Sequence, residues 1–429
     1  MIKYDRPLDI YRAMSKPNFL LVEHGGARKQ FTFEVLKKKG VNIFLVCTVV
    51  PPWLKTLLPE GNIFVTDTYN SVKLLSDTVS FFEAKKMKID AIGTFYEHTV
   101  VQTADIAKAL NLEGIDPGAA RRSSHNKLLM RIVCRNAKIP TPAFEVVRGL
   151  ELRRFIQTIK KIGLPCVIKP IFGAESYGTV KIEKYSDLMS AVNEIKLNTS
   201  SDKKEVFKNF TETFLVEKYL QGPVVSVDGL VQHKRVMVAG MVEFVMGPEP
   251  RFTQEANYIP TRFDNSVCVS CIDMAKRVIH TLGFDNCGFH CELRITPEGP
   301  VLIEIAARLP GGPLQPGYQK AYGVDLTSAL VDIWLGRKVN LKPNLKNYIL
   351  QKAVFPRKNG KIINVKGLRK IKKIKGIWDF SKISNKGEIV VTYPDIPKPF
   401  YYYAAAAQNP DLLDLLSNKI ESTVRFEIF

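Results

Sequence analysis

The sequence predicts a mixed architecture: an α/β unit with a parallel sheet at the N-terminus, then α+β layers through the rest of the 429-residue chain. Three patterns carry this expectation. Greasy strands alternate with amphipathic helices from Asn18 to Leu112, a hairpin with two chemically different faces closes the middle region, and short strands surround one helix after Leu341. The length allows two or three domains with a large core, and 45% hydrophobic with 24% charged residues is ordinary for a globular protein.

The N-terminal strands NFLLV, VNIFLVCTVV, NIFVTD and DAIGT are separated by helices near Lys29 to Lys39, Ser71 to Lys88 and up to Leu110. Such alternation means parallel strands with crossover helices, a Rossmann-like unit over residues 1–122. No G-x-G-x-x-G follows its first strand, which argues against a dinucleotide there, although HGGAR could place backbone amides near an anion. In DPGAARRSSHNKLLMRIVCRNAKIP, Ser123 or Ser124 can cap a helix whose apolar residues recur at 128, 129, 132, 133 and 137 and which stops before Pro140. The strand CVIKP, the small-residue loop IFGAESYG, the strand TVKI and a helix at Ser186 to Leu197 complete a unit over residues 123–202. Strands then dominate residues 203–340 (TFLVEKYL, GPVVSVDGLVQ, KRVMVAGMVEFV), with one helix at Ser266 to Leu282. Residues 341–429 hold short strands and a helix at Pro410 to Ser422.

The hairpin is GFHCELRITPEGPVLIEIAARLPGG, residues 288–312. Folded about Glu298, with Pro297 to Gly299 as the turn, it sets Glu292 opposite Glu304. Strand side chains alternate, so His290, Glu292 and Arg294 share a face with Leu302, Glu304, Ala306 and Arg308, while Cys291, Leu293, Val301, Ile303 and Ile305 form a greasy one. Like charges directly opposite on a sheet are destabilising unless something positive lies between them. A divalent cation resolves this, and magnesium suits it by taking one or two carboxylates with the rest of its shell from water and phosphates. A solvent-facing sheet with Arg294 and Arg308 as neutralising partners is the alternative. The register is also decisive, because a two-residue turn would shift the pairing by one and separate the carboxylates.

Other segments carry weaker signals. Lys169 ends an apolar strand and leads into Gly173-Ala-Glu-Ser-Tyr-Gly178, a loop of small residues whose N–H groups could approach phosphate oxygens; an ordinary hairpin reads the same way. Lys127 begins a helix, where its cation opposes the local dipole and favours a nearby anion. Glu217-Lys218-Tyr219-Leu220 ends a strand before Gly222-Pro223 and offers main-chain groups to a flat ring, and Arg308 could hold a second anionic group. The seven cysteines are an odd, scattered set that reads as free thiols in a reducing compartment; Cys268-x-x-Cys271 with Cys287 and Cys291 invites zinc, but burial as small hydrophobes accounts for all four. The net charge of +20 suggests attraction to anions. Nine of the basic residues fall in RKNGKIINVKGLRKIKKIKG, residues 357–376, where Ile362, Ile363, Val365, Leu368, Ile371 and Ile374 are interleaved as on an element with one buried side. The start lacks a secretory segment and the longest greasy run is too short for a bilayer, so a cytoplasmic protein without membrane association is expected.

Taken in order, Lys127 with its helix, Lys169 with its loop, LPCVIKP, FLVEKYLQGP and LIEIAARLPGG resemble the ATP-grasp superfamily over nearly the whole chain, and FYYYAAAA with the closing helix and strand looks most like the L-amino acid ligases and related carboxylate-amine ligases. The resemblance implies an ATP-grasp fold of two α+β subdomains after the Rossmann-like domain. It makes Lys127 and Lys169 the phosphate lysines, Gly173, Ser176 and Gly178 part of the closing loop, and Glu217, Lys218, Tyr219 and Leu220 the adenine hinge. It makes Glu292 and Glu304 ligands of Mg2+ or Mn2+, and Arg308, with Lys169, catalytic at the acyl phosphate. Two positions depart from the family pattern: Ala306 stands where many relatives have a metal-binding Asn, and Val224 where many have a ribose-binding Glu, with Asp228 the candidate substitute for that role.

The implied reaction is ATP-dependent joining of a small-molecule carboxylate, an amino acid among the candidates, to an amine through an acyl phosphate, with ADP and phosphate released. Alternatives are a thiol or another nitrogen acceptor, a nucleotide-binding scaffold without catalysis, and a nucleic-acid binder, the last disfavoured despite the basic charge. His233, Arg235, Met241, Arg251 and Gln254 are candidates for the substrate pocket, and the sequence leaves open whether copies form a homo-oligomer.

Overall fold

The computed structural model describes residues 16–173, 178–199, 210–249, 252–371, 373–393, 395 and 397–429. Strands β1 (Asn18–Val22), β2 (Asn42–Cys47), β3 (Ile63–Val65) and β4 (Ala91–Gly93) form a parallel sheet in the order β3-β2-β1-β4, with helices Phe31–Lys38 and Ser71–Ala84 between strands and Val100–Ala109 after β4. Successive residues feed different cores: Phe19 and Leu21 pack on one side of β1, Leu20 and Val22 on the other. Burial on both faces is why these strands read as unbroken hydrophobic runs. Gly93 is where this sheet meets the rest of the molecule. A Cβ there would stand 2.3 Å from the ring of Trp334, at the end of helix Leu326–Trp334.

A second sheet contains β5 (Phe144–Arg148), β6 (Cys166–Pro170), β7 (Val180–Ile182) and β8 (Thr213–Lys218), ordered β5-β8-β6-β7 and antiparallel. Cys166, Ile168, Phe214 and Val216 turn one face toward helices Leu152–Ile162 and Leu188–Asn198. Period-2 alternation sends Val167, Lys169 and Glu217 to the opposite face. The expected boundary at 202/203 lies outside the described residues.

The largest sheet begins with β9 (Val224–Gln232), β10 (Arg235–Met246), β11 (Gln254–Ile259), β12 (Cys287–Thr296), β13 (Gly299–Ala306) and β14 (Tyr348–Val354). The C-terminal strands are β15 (Gly360–Lys366), β16 (Ile377–Lys382), β17 (Ile389–Val390), β18 (Tyr401–Ala407) and β19 (Arg425–Ile428). The sheet runs β13-β12-β9-β10-β11-β14-β18-β16, so it continues across the expected boundary at 340/341, and β17-β15-β19 forms a small separate sheet. In the basic stretch, Ile362 and Ile371 are buried and Val365, Leu368 and Ile374 pack against the same core; Ile363 is exposed instead. Helix Asn265–Leu282 covers the greasy face of β12 and β13, where Cys271, Cys287 and Cys291 are buried and the Cys271 thiol is pushed by burial up to about 12. No helix among the described residues is long and apolar enough to cross a membrane.

The hairpin reaches the expected pairing by an unexpected route. Its turn has two residues, with Thr296 opposite Gly299 and Leu293 opposite Leu302, a register that would leave Glu304 facing Cys291. A register shift between Glu292 and Leu293 absorbs one extra residue, Ile303, and restores Glu292 opposite Glu304. Such a β-bulge re-aims side chains on one strand only. The expected faces are corrected accordingly: Leu302 joins Leu293 in the apolar core, while Ile303 lines the cleft described next.

Candidate active site

A cavity of about 590 Å3 lies between the second sheet and the hairpin face of the large sheet. Lys127, Lys169, Gly173, Gly178, Glu217, Lys218, Tyr219, Leu220, Glu292 and Glu304 all line it. Ser176 falls outside the described residues, as does Arg251. Arg308 does not line this cavity. Its Nε is paired with Glu97 of the N-terminal domain and one terminal nitrogen donates to the Leu309 carbonyl oxygen at 2.8 Å.

Lys127 starts the helix Lys127–Asn136, capped by the Asn126 side chain, which accepts from Leu129 N at 3.1 Å. Ser123 instead caps the short turn before it. The backbone of Lys127 is tied to the Ile171 carbonyl (3.0 Å), and its Nζ donates to Gly173 O (2.8 Å) and stands 3.5 Å from Glu304 Oε2. This lysine therefore joins the loop after β6 to the hairpin. The buried stripe of the helix is Lys127, Met130, Arg131 and Cys134, shifted from the leucine and isoleucine positions that the apolar pattern marked, and Ala137 is exposed.

Arg131 is the functional residue that the pattern missed. It is fully buried and clamps Glu217, Nε to Oε1 at 2.7 Å, and it donates to the Ile303 carbonyl of the bulge at 2.6 Å. Lys169 Nζ holds the other oxygen of Glu217 at 2.8 Å. Burial alone would raise the Glu217 pKa, but the two cations hold it below the ordinary carboxylate range; burial lowers that of Lys169 against the pull of Glu217. Arg131 lies four residues after Lys127, on the same helix face, and that spacing was the available signal. Glu217 thus spends its side chain on an ion triad. The N–H groups of Lys218 and Tyr219 donate to Ala143 O and Pro165 O, and Lys218 Nζ donates to Leu164 O. The Tyr219 ring lies 4.1 Å from Lys181 Nζ, with the Arg294 guanidinium on it at 5.6 Å.

Behind Glu292 runs a buried chain of polar groups. His290 Nε2 is 3.0 Å from Glu292 Oε1, and its Nδ1 is 2.5 Å from Oδ1 of Asp228, its partner on the adjacent strand β9. Tyr318 (2.6 Å) and Ser226 (2.8 Å) donate to the other oxygen of Asp228. Burial would lower the His290 pKa, but Asp228 and Glu292 lift it to about 10, so the ring is an imidazolium at neutral pH. Its hydrogen bond and charge in turn hold Glu292 ionised against its own burial, with Arg308 and Lys127 adding to the effect. Asp228 is fully buried in this network, so it does not stand in for a ribose contact as expected. Ala306, opposite His290, adds no ligand, and Val224 lines the cleft. Of the other substrate candidates, Gln254 lines the cleft, Met241 is core, and His233 and Arg235 lie at the exposed β9–β10 turn.

Two carboxylates, Glu292 and Glu304, face each other across the hairpin, with a lysine on one side and an imidazolium behind. This donor set fits a hard divalent cation that takes part of its shell from phosphate oxygens. The opposite wall presents lysine and arginine.

Residues 162–315 match the family model described as the ATP-grasp domain. The chain is 25% identical over 276 residues to alanine–anticapsin ligase of Bacillus amyloliquefaciens, covering 61% of this chain and 57% of that protein. It is 24% identical over 350 residues to human carnosine synthase 1, covering 79% of this chain and 42% of that protein. The chain therefore spans about half the length of these two relatives. An L-amino acid ligase structure from Bacillus licheniformis superposes with a TM-score of 0.82 at 16% identity, over 97% of this chain and 100% of that one.

Proposed function

We propose, from the premise that this chain carries an ATP-grasp domain within the ATP-grasp fold, that it is an ATP-dependent ligase joining a small-molecule carboxylate to an amine. The observation that carries the reading is the Glu292–Glu304 pair, aligned by the bulge and facing Lys127, with Lys169 on the opposite wall of the same cleft. The names of the relatives, two ligases and a synthase, support it.

In this reading Lys127 and Lys169 hold the nucleotide phosphates, and the segment from Glu217 to Leu220 borders the base. Since the N–H groups of Lys218 and Tyr219 are already engaged, contacts to the base fall to the remaining main-chain groups and the Tyr219 ring. Glu292 and Glu304 would hold Mg2+ or Mn2+, which when bound neutralises phosphate charge and polarises the γ-phosphoryl group. A carboxylate oxygen attacks the γ-phosphorus, the bond to the ADP oxygen breaks, and an acyl phosphate forms. The amine nitrogen then attacks the acyl carbon; the C–N bond forms, inorganic phosphate leaves, and the nitrogen loses its proton to solvent. Lysines fixed by Gly173 O and Glu217 cost no reorganisation at the moment of transfer, so positioning and charge neutralisation carry the barrier. Arg308 acts from the N-terminal side, held by Glu97 and close enough to Glu292 to depress its pKa. With seven free thiols, the chain suits a reducing compartment such as the cytoplasm.

The test is purified protein with ATP, magnesium and pooled amino acids, followed by mass spectrometry and ADP release. A condensed product and ADP should both form, and Glu304→Ala should lower both by about a thousandfold, the worth of several kcal/mol of charge stabilisation. Full turnover by that variant would remove the metal assignment. ATP binding without ADP formation in any pool would favour a non-catalytic scaffold.

A further inference from the structure

A second cavity, of about 750 Å3, lies where the N-terminal domain meets the loop after β6. Phe172 and Gly173 line both cavities, so the two are neighbours. The chain has a net charge of +20, yet among the described residues no lysine or arginine lines this second cavity. Its charged lining residues are Asp67 and Glu97. Burial, with the nearby charges of Arg308 and Lys127, pushes the pKa of His98 down to about 4, and burial with Lys127 and Arg121 lowers that of His125, so both rings are neutral at pH 7 despite the pull of Glu97 and add no charge to the cavity wall.

Hydrogen-bond sense agrees with the charge. Gln102 is 8% exposed, and its Nε2 donates to Tyr69 O at 3.1 Å, while its Oε1 has no hydrogen-bond partner among the described residues. A buried acceptor left in that state is destabilising, and an N–H donor from a ligand relieves it. Glu97, at the wall of this cavity, is the partner of Arg308, and Gly173, at the shared edge, is the partner of Lys127. An occupant therefore sits next to the partners of Arg308 and Lys127, on the side from which Arg308 acts in the proposed mechanism.

We infer that this cavity binds the amine substrate, and that this substrate carries a second cationic group in addition to the nitrogen that reacts. The inference rests on the ligase reading for the word substrate, and on the cavity alone for the ligand class. The reacting nitrogen must be neutral when it attacks, so the carboxylate of Asp67, exposed at the cavity wall, is left to recognise the other cation.

Calorimetry on the full chain decides the ligand class with L-lysinamide, L-alaninamide and L-glutamate as probes. L-Lysinamide should bind about tenfold or more tightly than L-alaninamide, which lacks the second cation, and more tightly still than L-glutamate, whose like charge the site repels. Asp67→Asn should reduce the preference and Asp67→Lys should abolish it; Asp67 is exposed, and melting curves check that both variants fold. Equal binding of the probes, or a preference that survives Asp67→Lys, overturns the inference. Hydroxylamine supplied to the wild type with ATP, magnesium and pooled carboxylates tests the parent reading separately. A hydroxamate product supports activation of the carboxylate; none from any pool removes the ligase reading, while the calorimetry still decides what the cavity binds.

Discussion

The two walls of the cleft handle charge in opposite ways. On the second sheet, Glu217 is shared by two cations, Arg131 and Lys169, both within 2.8 Å, so the wall keeps a surplus positive charge. Around Glu292, three carboxylates (Asp228 on β9, Glu292 and Glu304 on the hairpin) share two cations, the His290 ring and Lys127, so that corner of the opposite wall keeps a surplus negative one, while Arg294, farther along β12, is turned to the Gly222 carbonyl oxygen. Neither surplus is useful to the folded chain by itself, because buried charge without full compensation is costly. Facing each other across one cleft, they complement a ligand that is anionic on one side and carries a divalent cation on the other. The difference between the walls thus says more about the ligand than either does alone.

The strongest way to break this comparison is to unbalance the positive wall. Arg131→Met leaves Glu217 with one cation and strips the bulge carbonyl of Ile303 of its donor. Removing one partner of a buried pair typically costs about 3–5 kcal/mol, so urea denaturation should show a loss in that range. Adding Glu217→Gln should recover part of it by neutralising the orphaned carboxylate. A loss of less than about 1 kcal/mol for Arg131→Met, the scale of an exposed pair, would mean that water reaches the triad and that its charge is not a built feature.

The negative wall gives a smaller effect, read on the metal. His290 acts through Glu292, so it is a positioning residue. Replacing such a partner of a metal ligand costs about 10–100-fold in metal affinity. His290→Asn should weaken manganese binding by that factor in a titration followed by paramagnetic resonance. Unchanged affinity would show that Glu292 is oriented by the strand alone, and would reduce the chain from Asp228 to His290 to a core-packing feature.

How much of this was legible in sequence follows from range. The parallel N-terminal unit was readable because each strand and its crossover helix are local and strongly periodic. The pairing of Glu292 with Glu304 was also correct, although the turn was misjudged: the shorter turn and the extra residue at Ile303 offset each other, and a bulge leaves no local mark in a run of aliphatic residues. Arg131 was hidden because a helix with two apolar stripes offers a choice of buried face, and leucine and isoleucine outvoted the basic positions. The partnership of Asp228 with His290 needed the strand order β13-β12-β9, which joins segments about sixty residues apart and is fixed by packing rather than by any motif. With that order in hand, Asp228 could not have been assigned to a ribose.

The last test reads the edge where the hairpin wall meets the N-terminal domain. There Glu97 pairs with Arg308, and Lys29 Nζ donates to the Phe95 carbonyl oxygen. Burial, followed by the charge of Arg308, lowers the Lys29 pKa from 10.5 to about 7, with Glu97 opposing. The unfolded chain, with Lys29 at its ordinary value, therefore binds more protons than the folded one between these two values. Stability contributed through Lys29 rises with pH across that window and is at its lowest below pH 7. The stability of the wild type relative to Lys29→Met should accordingly increase from the lower to the upper end of the window in urea denaturation. In an Arg308→Gln background the increase should shrink, because the like charge that helps depress Lys29 is gone. A difference that stays flat with pH would show Lys29 to be an ordinary solvated ammonium. The positive surplus of the cleft would then extend to this edge, and the acidic cavity beside it would no longer stand apart from the rest of a basic protein.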